Sequence, residues 1–202
     1  MTQLQQVKTL EQLGVDFAGF IFYKNSPRYV LGDKAAADSI ISSNLNIKKV
    51  GVFVDEPLED LLKIASKWNL DYVQLHGDES PEFCKILKNH FPVIKAFRVG
   101  DNVDVLSKTV EYNEVDYFLF DTLGQKYGGT GEKFNWNQLL VTLHKPYFLS
   151  GGIGPEDSMA LNEFEKKANQ LFALDLNSKF EDLPGVKNIE KIKLFLEQLK
   201  NS

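Results

Sequence analysis

The chain contains a single cysteine, Cys84, among 202 residues. One thiol cannot form an internal disulfide, so no covalent staple is available, and a reducing cytoplasm is the expected compartment. Long apolar runs are missing too: none approaches the roughly 18 to 20 residues that a membrane-spanning helix needs. Met1-Thr2-Gln3-Leu4 does not read as a secretory leader. Positive charge is in deficit, with 23 lysines and arginines against 28 acidic residues and a net charge of −5. That balance argues against a nucleic-acid surface, while backbone amides still allow a small anionic ligand. No His, Cys or carboxylate pair has metal-ligand spacing, so no metal is expected, and neither a nucleophile elbow nor a P-loop is present.

What is present is ordinary in bulk and regular in order. Apolar residues make up 43% and charged residues 25%, and a chain of this size buries roughly 70% of its unfolded surface. No linker, low-complexity stretch or composition break divides residues 1–202, which read as one domain. Short apolar runs recur at 17–23, 49–54, 71–75, 93–97, 116–120, 147–149 and 171–176. They are rich in Val, Ile, Phe and Tyr and nearly continuous in apolarity, as expected of parallel strands covered on both faces.

Helical patterns lie between these runs. Leu58, Leu61, Leu62, Ala65 and Trp68 form one stripe, and Ile189, Ile192, Phe195, Leu196 and Leu199 form another. Ser80-Pro81-Glu82 and Gly154-Pro155-Glu156 place proline at a first helical position. A further helix precedes the first strand: Thr2 and Gln5 have capping-box spacing, Leu4, Val7, Leu10 and Leu13 repeat, and Gly14 is a natural stop. The inventory is therefore seven strands and eight helices. Repeated βα units in this number favour an eight-stranded (β/α) barrel whose first strand lies ahead of Met1.

Barrel chemistry collects at the carboxyl ends of the strands. Asp121 closes the run Tyr117-Phe118-Leu119-Phe120 and is either a general acid or an aspartate bonding turn amides. Arg28, in Ser26-Pro27-Arg28-Tyr29, is either a carboxylate clasp or a solvated loop arginine. His76 and Arg98 end two further strands, as proton carriers, ligand contacts or hydrogen-bonded lining. Three small-residue loops follow the last strands: Gly128-Gly129-Thr130-Gly131, Ser150-Gly151-Gly152 and Asn177-Ser178-Lys179. Together they read as a phosphate grip, although each alone is a turn signal. Cys84, inside an outer helix, reads as structural.

These segments resemble the phosphoribosylanthranilate isomerase family. The resemblance is carried by Gly19-Phe20-Ile21-Phe22, Ser26-Pro27-Arg28-Tyr29-Val30, Val50-Gly51-Val52-Phe53-Val54 and Val73-Gln74-Leu75-His76-Gly77. Phe120-Asp121-Thr122, Gly128 to Gly131 with Phe134 and Trp136, and Leu149-Ser150-Gly151-Gly152-Ile153 continue it. Asp175, Ser178, Glu181 and Pro184-Gly185-Val186-Lys187 complete it.

The resemblance implies a cofactor-free Amadori rearrangement in tryptophan biosynthesis, of N-(5-phosphoribosyl)anthranilate to 1-(2-carboxyphenylamino)-1-deoxyribulose 5-phosphate. It implies Asp121 as the acid on the ring oxygen and Arg28 on the anthranilate carboxylate, with His76 and Arg98 lining the substrate site. The phosphate falls to Gly129, Thr130, Gly131, Gly151, Gly152, Asn177 and Ser178. The partner is a small phosphosugar-anthranilate, the protein a monomer or homodimer. There are two departures. Lys179 stands where the family usually has glycine, and the family's base, a cysteine in a Lys-x-Cys-Gly first strand, has no counterpart, so little or no activity is expected of the chain as written. The alternatives are a phospho-ligand-binding remnant without chemistry and, more weakly, a sister barrel such as indole-glycerol-phosphate synthase.

Overall fold

The computed structural model describes residues 1–100, 103–123 and 133–200. The seven strands of its main sheet are β1 (Phe17–Ile21), β2 (Lys48–Phe53), β3 (Tyr72–Leu75), β4 (Val93–Val99), β5 (Tyr117–Thr122), β6 (Tyr147–Leu149) and β7 (Leu171–Leu174). They lie parallel in one sheet, each paired with its successor in sequence. The helices are α1 (Leu4–Gln12), α2 (Lys34–Ile41), α3 (Leu58–Trp68), α4 (Pro81–Lys88), α5 (Val105–Thr109), α6 (Ser158–Glu165) and α7 (Ile189–Lys200).

The strands bury both faces, and the alternation of side chains sorts them into two cores. Outward-facing Val73, Leu75, Phe118, Phe120 and Leu149 pack with helix residues such as Leu61, Ala65, Trp68 and Leu87. Inward-facing Val50, Ile94, Ala96, Leu119 and Phe148 form a second cluster with Phe17, Tyr72, Tyr117 and Ala173. Its rings stack edge to face at the amino ends of the strands, Tyr72 to Tyr117 at 6.1 Å and Tyr117 to Phe148 at 5.5 Å. Phe17 on β1 meets Phe172 on β7 at 6.0 Å, so the sheet has curled until its two end strands touch through side chains. Those strands do not pair with each other. A cavity of about 420 Å³ runs beside them, lined by Phe17, Gly19 and Ile21 on one side and by Ala173 and Leu174 on the other.

Three local expectations need correction. Among the described residues there are seven α-helices rather than eight, and the connection after β5 carries only a 3-10 turn at Trp136–Leu139. Asn135 accepts from the Asn137 amide there, a local bond that competes with helix formation. The Thr2–Gln5 capping box does not form: α1 has Gln3 at its N-cap without a side-chain bond, and Thr2 Oγ1 donates to the Gly185 carbonyl at 3.1 Å. A distant carbonyl has outcompeted the local amide. Finally, a hairpin of β8 (Glu181–Leu183) and β9 (Val186–Lys187) follows β7, turning at Pro184-Gly185, where Gly185 takes a φ of 84° that favours glycine. Elsewhere local signals hold. Ser80 accepts from the Phe83 amide with Pro81 in the first turn of α4, and Gly14, with a φ of 79°, ends α1.

Trp68 closes the layer between α3 and the sheet, with its ring 5.4 Å from Phe20 and 5.0 Å from Phe22. It is fully buried, and its carbonyl accepts from Lys49 Nζ at 2.6 Å. Replacing Trp68 with alanine is expected to cost about 3–5 kcal/mol, read from the urea unfolding midpoint. A loss below about 1 kcal/mol would mean that this layer is not close-packed.

Candidate active site

The carboxyl ends of the strands carry polar inward-facing residues where the amino ends carry rings. His76 follows β3 directly, its amide donating to the Phe53 carbonyl at 2.8 Å. Asp121 is the next-to-last residue of β5. The His76 Nε2 and Asp121 Oδ2 atoms lie 3.3 Å apart, both side chains nearly buried. Asp121 Oδ1 accepts from the Thr122 amide at 2.8 Å. One Asp121 oxygen thus bonds a turn amide, and the other lies against a histidine beside a cavity that both residues line.

Arg28 reaches the same cavity from the loop after β1. It is not a solvated loop residue. Its Nε donates to both Glu181 oxygens, at 3.1 and 2.8 Å, and its Nη2 lies 2.7 Å from Oε2. A bidentate carboxylate orients the guanidinium. Lys187, at the end of the hairpin, lies 3.3 Å from the other Glu181 oxygen. Burial alone raises the Glu181 carboxyl, but the Arg28 hydrogen bond and the Lys187 and Arg28 charges outweigh it and hold it below its ordinary value.

Lys187 Nζ also donates to the Leu176 and Asn177 carbonyls and to Asn177 Oδ1, at 2.9, 3.2 and 3.1 Å. The loop after β7 is thus pinned from beneath. Asn177 and Ser178 line the cavity, as do Gly151 and Gly152 from the loop after β6. Those two glycines have φ of 87° and 66°, and a Cβ on Gly151 would run into Thr122, so no other residue fits the first position without strain. Gly129, Thr130 and Gly131 lie outside the described residues. Asp175 sits among these groups, accepting from Ser150 Oγ at 3.0 Å. Burial raises its carboxyl, with Lys187 opposing and Asp121 reinforcing the shift.

The remaining expected residues stand apart. Arg98 is at the rim, its Nη2 3.3 Å from Asp78 Oδ1, and is not among the residues lining the cavity. Lys179 turns to Glu156 at 3.0 Å on the neighbouring loop. Cys84 is buried in α4, where burial pushes its thiol up to about 11, the reverse of an activated nucleophile. Sequence reading gave no role to Glu181 and Lys187, whose partners lie far along the chain, or to Gln74, whose amide orientation no sequence displays.

Comparison with known proteins adds to this geometry. The family model described as N-(5'phosphoribosyl)anthranilate (PRA) isomerase matches residues 1–198. The N-(5'-phosphoribosyl)anthranilate isomerase of Parabacteroides distasonis is 42% identical, over 98% of this chain and 90% of its own length. The crystal structure of phosphoribosyl anthranilate isomerase from Thermotoga maritima superposes with a TM-score of 0.86 at 33% identity, over 100% of this chain and 96% of that one. A phosphoribosyl anthranilate isomerase in complex with reduced 1-(o-carboxyphenylamino)-1-deoxyribulose 5-phosphate gives 0.79 at 30% identity, with coverage of 100% and 96%.

The Glu181 geometry generates a prediction about acid stability. Because the folded chain holds this carboxyl below its ordinary 4.5, its stabilisation is complete above that value and drains away as pH falls through the lower folded one. Urea midpoints collected from neutral pH downward should fall less steeply in Glu181→Gln than in the native chain. Parallel slopes would remove Glu181 as a source of acid sensitivity.

Proposed function

The chain belongs to the phosphoribosylanthranilate isomerase family, and from that premise we propose how its residues divide the chemistry. It is an isomerase of tryptophan biosynthesis, whose reaction is the Amadori rearrangement of N-(5'-phosphoribosyl)anthranilate. In that reaction the ribose C1–O bond breaks, its electron pair goes to the ring oxygen with a proton, and the anthranilate nitrogen lone pair closes a C=N bond to C1. A base then removes the C2 proton, and the enol rearranges to the ketose. Asp121 is the acid that protonates the ring oxygen, supported by its place at the open end of the cavity, 3.3 Å from His76. That approach is the observation on which the assignment rests.

Arg28, held by Glu181, takes the anthranilate carboxylate, a bidentate pairing that a planar guanidinium suits. The backbone of Gly151, Gly152, Asn177 and Ser178, together with Gly129, Thr130 and Gly131, takes the phosphate without a cationic side chain. His76 lines the substrate site beside Asp121. Arg98 serves at the rim, steering an anionic substrate. The ligand is a small phosphosugar, the reaction cytoplasmic and cofactor-free, and the working unit a monomer or homodimer.

The base is the remaining part. No cysteine lines the cavity, and the only one in the sequence is buried in α4. We place the base on a further strand between β1 and β7, where a segment of about five or six residues is an ordinary strand length. In support, among the described residues those two strands do not pair with each other, their inward positions include Gly19 and Ala173, and the cavity runs alongside both.

The 202-residue chain is then expected to bind the reduced product analogue in calorimetry and to turn over little or no substrate. Adding a strand of about seven residues with a cysteine near its end should restore turnover, since a positioned acid or base is worth about 10²–10⁴-fold. Robust turnover without the extension sinks the missing-base assignment. In the extended chain, Asp121→Asn should lower kcat by about 10²–10⁴-fold with analogue affinity little changed. An unaltered kcat would remove Asp121 as the acid.

A further inference from the structure

Two residues before His76 on the same strand, Gln74 points to the same inner face, because side chains on a strand repeat every second position. It is buried in β3 between Val52 of β2 and Ile94 of β4. Its Nε2 lies 3.2 Å from His76 Nδ1. An amide nitrogen only donates, so Nδ1 must accept, and a neutral His76 then carries its proton on Nε2. That nitrogen is buried, 3.3 Å from Asp121 Oδ2, and off the axis of a completed hydrogen bond.

We propose that Gln74 is a positioning residue that fixes the tautomer of His76, so that Nε2–H faces Asp121 and the reacting sugar. The proposal deepens the isomerase assignment and rests on it for its purpose. Once Asp121 has given its proton to the ring oxygen, a carboxylate remains in a nearly dry site. A donor already turned toward that oxygen stabilises the charge as it forms, with no rearrangement at the moment of transfer. The opposite tautomer would place a lone pair against the same carboxylate. Gln74 lines the same cavity, and its effect on Asp121 passes through the imidazole that it bonds.

The test reads the imidazole directly and needs no turnover. The full chain is labelled with ¹⁵N-histidine, and two-bond proton–nitrogen correlations report which ring nitrogen is protonated. His90→Gln and His144→Gln assign the other two of the three histidines. In the native chain His76 should show an unprotonated Nδ1 and a protonated Nε2. In Gln74→Glu the carboxylate accepts rather than donates, and the pattern should reverse. In Gln74→Leu, which has no donor, the tautomer ratio should relax by about 2- to 10-fold, as the loss of one neutral hydrogen bond dictates.

A protonated Nδ1 in the native chain, or an unchanged ratio in Gln74→Leu, overturns the proposal while leaving the isomerase assignment intact. Circular dichroism confirms that each variant is folded. If Gln74→Glu does not fold, Gln74→Leu decides alone.

Discussion

A parallel sheet that encloses an interior must join its two ends, and here the join is made by rings instead of backbone hydrogen bonds. Phe17 and Phe172 meet across the seam, and Tyr117 and Phe148 support them from the side, at 4.6 and 5.3 Å from Phe172. Aromatic contacts of this kind add roughly 0.5–1.5 kcal/mol each beyond the area they bury. They also fill the amino end of the interior, so the space that remains lies toward the carboxyl ends and along the seam. The site's location follows from where the large side chains are not.

That opening is lined with charge, and buried charge is tolerated only when paired. Arg28, Glu181 and Lys187 form one connected group, with Asp175 close enough for its charge to act on Lys187. Each member has a second duty. Glu181 turns the arginine, and Lys187 holds the carbonyls of the loop after β7. The hairpin that carries Glu181 and Lys187 belongs to no βα unit, so it acts as a brace for the loops that line the cavity. Pairs of this sort contribute less to stability than to keeping groups where they are needed.

Much of this was legible in the sequence, for reasons of locality. All seven strands were placed by their apolar runs, since two covered faces leave little choice of residue. Asp121 and His76 were singled out because strand ends are where barrel chemistry collects, and the fold brings them side by side. What escaped notice has partners far away in the chain. Glu181 is 153 positions from Arg28, and Thr2 is 183 from Gly185, so no window of sequence could pair them. Gln74 is different: the i, i+2 relation to His76 was visible, but the amide's role depended on which way its nitrogen turned.

Gln6 and Lys187 exchange two hydrogen bonds, side-chain amide to carbonyl at 2.9 Å and backbone amide to side-chain oxygen at 3.0 Å, across 181 positions. During vectorial synthesis α1 emerges long before these companions are translated. Until then α1 has only its nearer partners, such as the Ile47 amide that donates to Glu11, and part of its apolar stripe stays open to chaperones or to neighbouring nascent chains. Emergence of the β8–β9 hairpin is therefore the event that lets this early helix settle.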